Sequence, residues 1–100
     1  MSYVYELADN ETNITDSQVI GWPGGNGVLM AHATSFNSAT VTLLQKSPQG
    51  VFVPHKTAVS LTANGSVAFS CPPGDVKVTV TGAGSGGISG LFAWLFMMPN

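Results

Sequence analysis

The chain has 100 residues, enough for one domain and little more. It is 44% hydrophobic and only 8% charged, against about 25% charged in an average soluble domain, so its polar surface must come from Ser, Thr, Asn and Gln. The net charge is −2 and the only basic residues are Lys46, Lys56 and Lys77, too few to neutralise a run of phosphates, so nucleic acid and anionic membranes are excluded as direct partners.

Residues 1–27 read as an extended N-terminal arm or a first strand. This stretch holds Glu6, Asp9, Glu11 and Asp16 and no Lys or Arg. Met1 to Glu6 lack the basic start and apolar run of a secretory leader, so no secretory route is expected and the Asn-x-Thr/Ser matches read as chance. Tyr3, Tyr5 and Leu7 fall on one side of an extended chain. Val19 to Trp22 make a short apolar patch, and Pro23-Gly24-Gly25-Asn26-Gly27 breaks the pattern. Two readings stay open. Either the arm reaches onto a neighbouring molecule, with Tyr3, Tyr5 and Trp22 as its contacts, or it packs on its own domain.

Residues 28–98 read as a β-sandwich domain. Val28 to Thr34 is an apolar run of strand length, followed by a turn at Asn37-Ser38. Ala39, Val41 and Leu43 share one strand face, and Thr40, Thr42 and Leu44 the other. Ser47-Pro48-Gln49-Gly50 has turn chemistry, so Val51 to Val53 should return antiparallel. Pro54 ends the pairing or marks an edge. Thr57 to Thr62 is extended, and Asn64-Gly65 after it signals a hairpin into Val67, Phe69 and Cys71. Pro72 to Asp75 turns again, and Val76, Val78 and Val80 alternate cleanly with Lys77, Thr79 and Thr81. Gly82 to Gly90 reads as a loose Gly-rich connection into the last strand. About seven short antiparallel strands, each with an apolar face, predict an all-β sandwich of jelly-roll or immunoglobulin-like type.

The last strand breaks the amphipathic rule. Phe92, Trp94 and Phe96 take one side of it, and Leu91, Ala93, Leu95 and Met97 the other, so both sides are apolar. The run is far shorter than the ~20 residues of a membrane-spanning helix. A small sandwich buries one side of such a strand by itself. Covering the other requires a neighbouring chain, or Tyr3 to Leu7 folded over it. Leu91, Phe92, Trp94, Leu95, Phe96 and Met97 are therefore the candidates for packing between subunits.

Catalytic chemistry is poorly provided for. Cys71 is the only cysteine and cannot form an internal disulfide; its sequence setting is that of a small core residue, and no motif activates it. His32 lies between alanines in an apolar strand, as a core or interface histidine does; His55 follows Pro54 in an exposed loop. Those three are widely spaced and make a poor zinc set. Asp9, Glu11 and Asp16 lack the fixed spacing and central glycine of an EF-hand. Gly82, Gly84 and Gly87 match a dinucleotide fingerprint in letters, but no helix follows. The chain is expected not to be an enzyme and to need no metal or cofactor.

The segments Leu61-Thr62-Ala63-Asn64-Gly65-Ser66-Val67-Ala68-Phe69, Pro73-Gly74-Asp75-Val76-Lys77-Val78-Thr79-Val80-Thr81-Gly82 and Gly90-Leu91-Phe92-Ala93 give the chain a recognisable cadence. It resembles small β-sandwich structural proteins of tailed bacteriophages over roughly residues 27 to 97. It departs from them at Phe96-Met97-Met98, where an Arg is often expected. The resemblance implies a virion component with no catalytic residues, and above all a head decoration (cement) protein. Such a protein assembles in the host cytoplasm as a homo-oligomer such as a trimer and binds the major capsid protein on the capsid surface. Two other classes remain: a receptor- or glycan-binding module of a fibre or spike, and a tail or head–tail connector subunit.

Overall fold

Strands that alternate large apolar and small polar side chains bury one face each, and two stacked sheets let those faces meet. The computed structural model describes residues 4–55 and 57–98 and shows this arrangement. Its nine strands are β1 (Val4–Glu11), β2 (Ile20–Trp22), β3 (Gly25–His32), β4 (Thr40–Lys46), β5 (Phe52–Pro54), β6 (Ser60–Leu61), β7 (Gly65–Cys71), β8 (Gly74–Thr81) and β9 (Leu91–Met97). One sheet has the order β1-β9-β3-β7; the other runs β2-β8-β4-β5, with β6 also beside β4. Every pairing is antiparallel. The predicted all-β sandwich is therefore the observed fold, with two strands more than the seven expected.

The core lies between the sheets. Leu29, Leu91, Ala93 and Leu95 contribute from one side, and Val41, Leu43, Val76 and Val78 from the other; all are fully enclosed. Each large side chain removed from water stabilises by roughly 1.5–3 kcal/mol. Trp22 is the bulkiest of the core, edge-on to Tyr5 at 5.7 Å and tilted against Phe69 at 5.1 Å between ring centroids. Gly27 makes room for it: a Cβ there would come 2.6 Å from Trp22 Cη2 and 2.8 Å from Phe69 Cζ.

The N-terminal segment packs on its own domain. β1 lies beside β9, with Val4 opposite Phe96 and Tyr5 opposite Leu95, and two register shifts bend it between Glu6 and Glu11. Residues 15–22 then run along the free edge of β8. Ser17 N–H donates to the Val78 carbonyl at 2.9 Å, Val80 N–H to the Thr15 carbonyl at 2.8 Å, and Ile20 to Trp22 pair with Gly74 to Val76. Residues 4–22 thus complete both sheets, and the reading of an arm on a neighbour fails for them.

The turn at Ser47 to Gly50 makes the expected hairpin: Gly50 N–H donates to the Ser47 carbonyl at 2.9 Å, and Gly50 takes φ 89°. Asn64-Gly65 does not. The strand before it, β6, belongs to the sheet of β4, and the strand after it, β7, to the sheet of β3. The dipeptide carries the chain from one layer to the other, and Asn64 Oδ1 instead accepts the Ala33 N–H at 2.9 Å. The Gly82–Gly90 connection is also tied down, contrary to its composition. Asn37 Nδ2 donates to the carbonyls of Ser85 and Gly87 at 2.9 and 3.0 Å, Asn13 N–H donates to the Ile88 carbonyl at 2.7 Å, and Ile88 is fully buried.

Candidate interaction face

The outward sides of the two sheets are chemically unlike. On the β2-β8-β4-β5 sheet, Thr40 faces Thr81, Thr42 faces Thr79 and Leu44 faces Lys77. Lys77 Nζ sits 3.3 Å from Asp16 Oδ1 and 4.4 Å from the centroid of the Phe52 ring. That side mixes threonines and charged groups with the half-buried Leu44 and Phe52.

The outward side of the β1-β9-β3-β7 sheet is apolar and aromatic. Cross-strand register builds it in rows: Val4, Phe96, Val28 and Ala68 in one, Glu6, Trp94, Met30 and Ser66 in the next, then Phe92 with His32. The His32 and Phe92 rings stack at 5.0 Å, His32 and Trp94 lie 5.4 Å apart, and Phe92 and Trp94 are stacked at 5.9 Å. Val4 and Met30 remain 43% and 38% exposed, while Val28, Phe92, Trp94 and Phe96 are half-buried by one another. Glu6 is the one acid in these rows, and no Lys stands in them. A contiguous apolar surface of this kind is uncommon on monomeric proteins and marks contact with a partner.

The structure divides the sequence candidates. Phe92, Trp94 and Phe96 lie together on this face. Leu91 and Leu95 are 0% exposed on the inner side of β9, and Trp22 is 2% exposed in the core, so these three are corrected: the chain's own core already covers their side chains. Met97 and Tyr5 are half-buried against the core from the inner side. Tyr3 lies outside the described residues.

Sequence reasoning missed the β3 half of the face, Val28, Met30 and His32. The signal was present, because β3 is apolar on both sides just as β9 is. His32 is accordingly an exposed stacking residue and not a core histidine. His55, expected to be solvent-exposed, is half-buried, and its Nε2 is enclosed without a hydrogen-bond partner among the described residues.

Among the described residues, the sequence candidates for catalytic or metal chemistry, Cys71, His32 and His55, are not brought together. Cys71 is buried, and desolvation pushes its thiol up, away from the reactive thiolate. Glu6, Asp9, Glu11 and Asp16 line an open concavity of about 210 Å³ beside β1. Among the described residues no three His, Cys, Asp or Glu side chains gather closely enough to hold a metal ion, and no helix is long and apolar enough to cross a membrane. No protein-family model matches the chain, and comparison with the curated proteins gives no match.

Proposed function

We propose that this chain is a non-enzymatic structural protein of a virion, a decoration (cement) protein on the head of a tailed bacteriophage. One observation carries the reading: the aromatic and aliphatic outer face built by Phe92, Trp94, Phe96, Val28, Met30 and His32. Such a face gains about 25 cal/mol for each Å² removed from water, so it favours a covering partner. The threonine-rich opposite side suits permanent exposure. The resemblance to phage β-sandwich proteins supplies the class of partner, the major capsid protein. Many copies, each bridging neighbouring capsid subunits through a modest contact, oppose internal pressure together.

The test compares heads decorated with the chain and heads stripped of it. Decorated heads are expected to rupture at a higher temperature, and Trp94→Ser or Met30→Glu to lose that protection by loss of binding. Equal rupture temperatures with and without the bound chain overturn the reading.

A second reading has its own support. The cluster of His32, Phe92 and Trp94 rings offers aromatic surface against which a sugar ring can pack, as in a glycan-binding module of a fibre or spike. Retention on a glycan array, abolished by Trp94→Ser and accompanied by no binding to heads, favours that alternative.

A further inference from the structure

The sheet edges are unequally guarded. β1 carries Glu6, Asp9 and Glu11 and two register shifts, devices that discourage a further strand. Residues 15–22 close the edge of β8. β5 and β6 are only three and two residues long, and β5 ends in Pro54. β7 has none of these protections. It spans seven residues, Gly65–Cys71, without a charge or a proline. It pairs with β3 at every position and without a register shift, so its other edge is straight. That edge has no backbone partner among the described residues. Beside it runs an open groove of about 400 Å³, bounded by His55, Thr57 and Val59 on one side and by Val67 to Ser70 on the other.

We propose that the strand added there is β7 of a second copy of this chain, antiparallel about a two-fold axis at Ala68. The residues of β7 are arranged for self-pairing. About Ala68, Ser66 matches Ser70 on the outward side, Val67 matches Phe69 on the inward side, and Gly65 matches Cys71. In the pair a small residue therefore meets a small or medium one, a β-branched residue meets an aromatic one, and no like charges face each other. The contact is isologous, so it closes at two copies and leaves as the outer edges of the joined sheet only the two charge-guarded β1 strands. It joins two four-stranded sheets into one of eight strands. The two aromatic faces then lie on the same side and become one surface of double extent. The inference goes beyond the cement reading and stands independently of what covers that surface.

The test is light scattering over a dilution series, with circular dichroism of every variant. Wild-type chain is expected at twice the chain mass. Ala68→Glu and Ala68→Lys each place like charges together at the axis and are expected to weaken the dimer ~100-fold or more. An equimolar mixture of the two is expected to restore it, because unlike charges then face each other. Trp94→Ser, on the sheet face away from the edge, is expected to leave it unchanged. As a second measurement, Ala68→Cys is expected to give a covalent dimer with a short bifunctional maleimide. Any of three results overturns the proposal: a wild-type monomer throughout, a dimer that survives Ala68→Glu, or a dimer lost in Trp94→Ser. None of these bears on whether heads are stabilised, so the two proposals fail separately.

Discussion

Gly27 has almost no room to change. It sits where the indole of Trp22 and the ring of Phe69 close over β3, and a methyl group would enter space both already occupy. Gly27→Ala is expected to lower stability by about 1–3 kcal/mol, the cost of overpacking, as measured by urea unfolding. Cys71 carries a different signature. Burial raises its thiol above the value it has in the unfolded chain. The folded state therefore holds the proton more tightly, and the corresponding stability is present below the unfolded value and lost as pH rises through the folded one. Unfolding curves are expected to show a decline on the alkaline side that Cys71→Ala lacks. The native thiol is also expected to resist a thiol reagent that labels it promptly in urea. The identity of Cys71 as a small core residue was readable from its alternation with Ser70 and Pro72. The burial of Trp22 was not, because nothing local to Val19–Trp22 reveals that Gly27 leaves a space for the indole.

At the scale of single strands, β9 offers the sharpest contrast. Leu95 and Trp94 are adjacent in sequence and face opposite ways. Leu95→Ala is expected to cost about 2–5 kcal/mol, since it empties a fully enclosed site. Trp94→Ser removes a larger side chain but is expected to cost under about 1.5 kcal/mol, mostly from lost ring contacts with His32 and Phe92. Thermal melts of the two variants distinguish core from outer face. Alternation with period two made β4, β7 and β8 legible, together with the inward side of each; β9 was legible as a strand, but with both sides apolar its inward side was not. The connections were harder. Ser47 to Gly50 and Asn64-Gly65 both announce a bend, and both do bend the chain. A turn signal does not say whether the next strand pairs with the last or crosses to the facing layer. That choice depends on the edge of β3 being free for β7, a contact remote in sequence. The acid-rich segment before β3 was ambiguous for the same reason, because its partners β8 and β9 come at the far end of the chain.

At the scale of the molecule, the sandwich has two unlike outer sides, one threonine-rich and one aromatic. This asymmetry was half legible. The apolar character of both sides of β9 foretold a surplus of hydrophobic surface, and that surplus falls on a single sheet because β3 shares the trait and lies next to β9. The same side of the candidate face was invisible wherever it depended on register, as in the meeting of His32 with Phe92. Adding Lys to this face should make its effect felt in solution behaviour and not in folding. Met30→Lys is expected to leave the melting temperature within a few degrees of wild type while raising solubility in a salt-precipitation assay.

The pairing of β1 with β9 has one more effect. Val4 stands opposite Phe96, so the two ends of the sandwich sit on neighbouring strands, about 5 Å apart, at the same corner of the domain. A short Gly/Ser bridge can close that corner, and the exposed Gln49-Gly50 turn can be opened in its place. The rearranged ring-opened chain is expected to fold, with a circular dichroism spectrum like that of the parent. By the same geometry, a peptide inserted just before Val4 and one inserted just after Met97 would both leave the sandwich at that one corner.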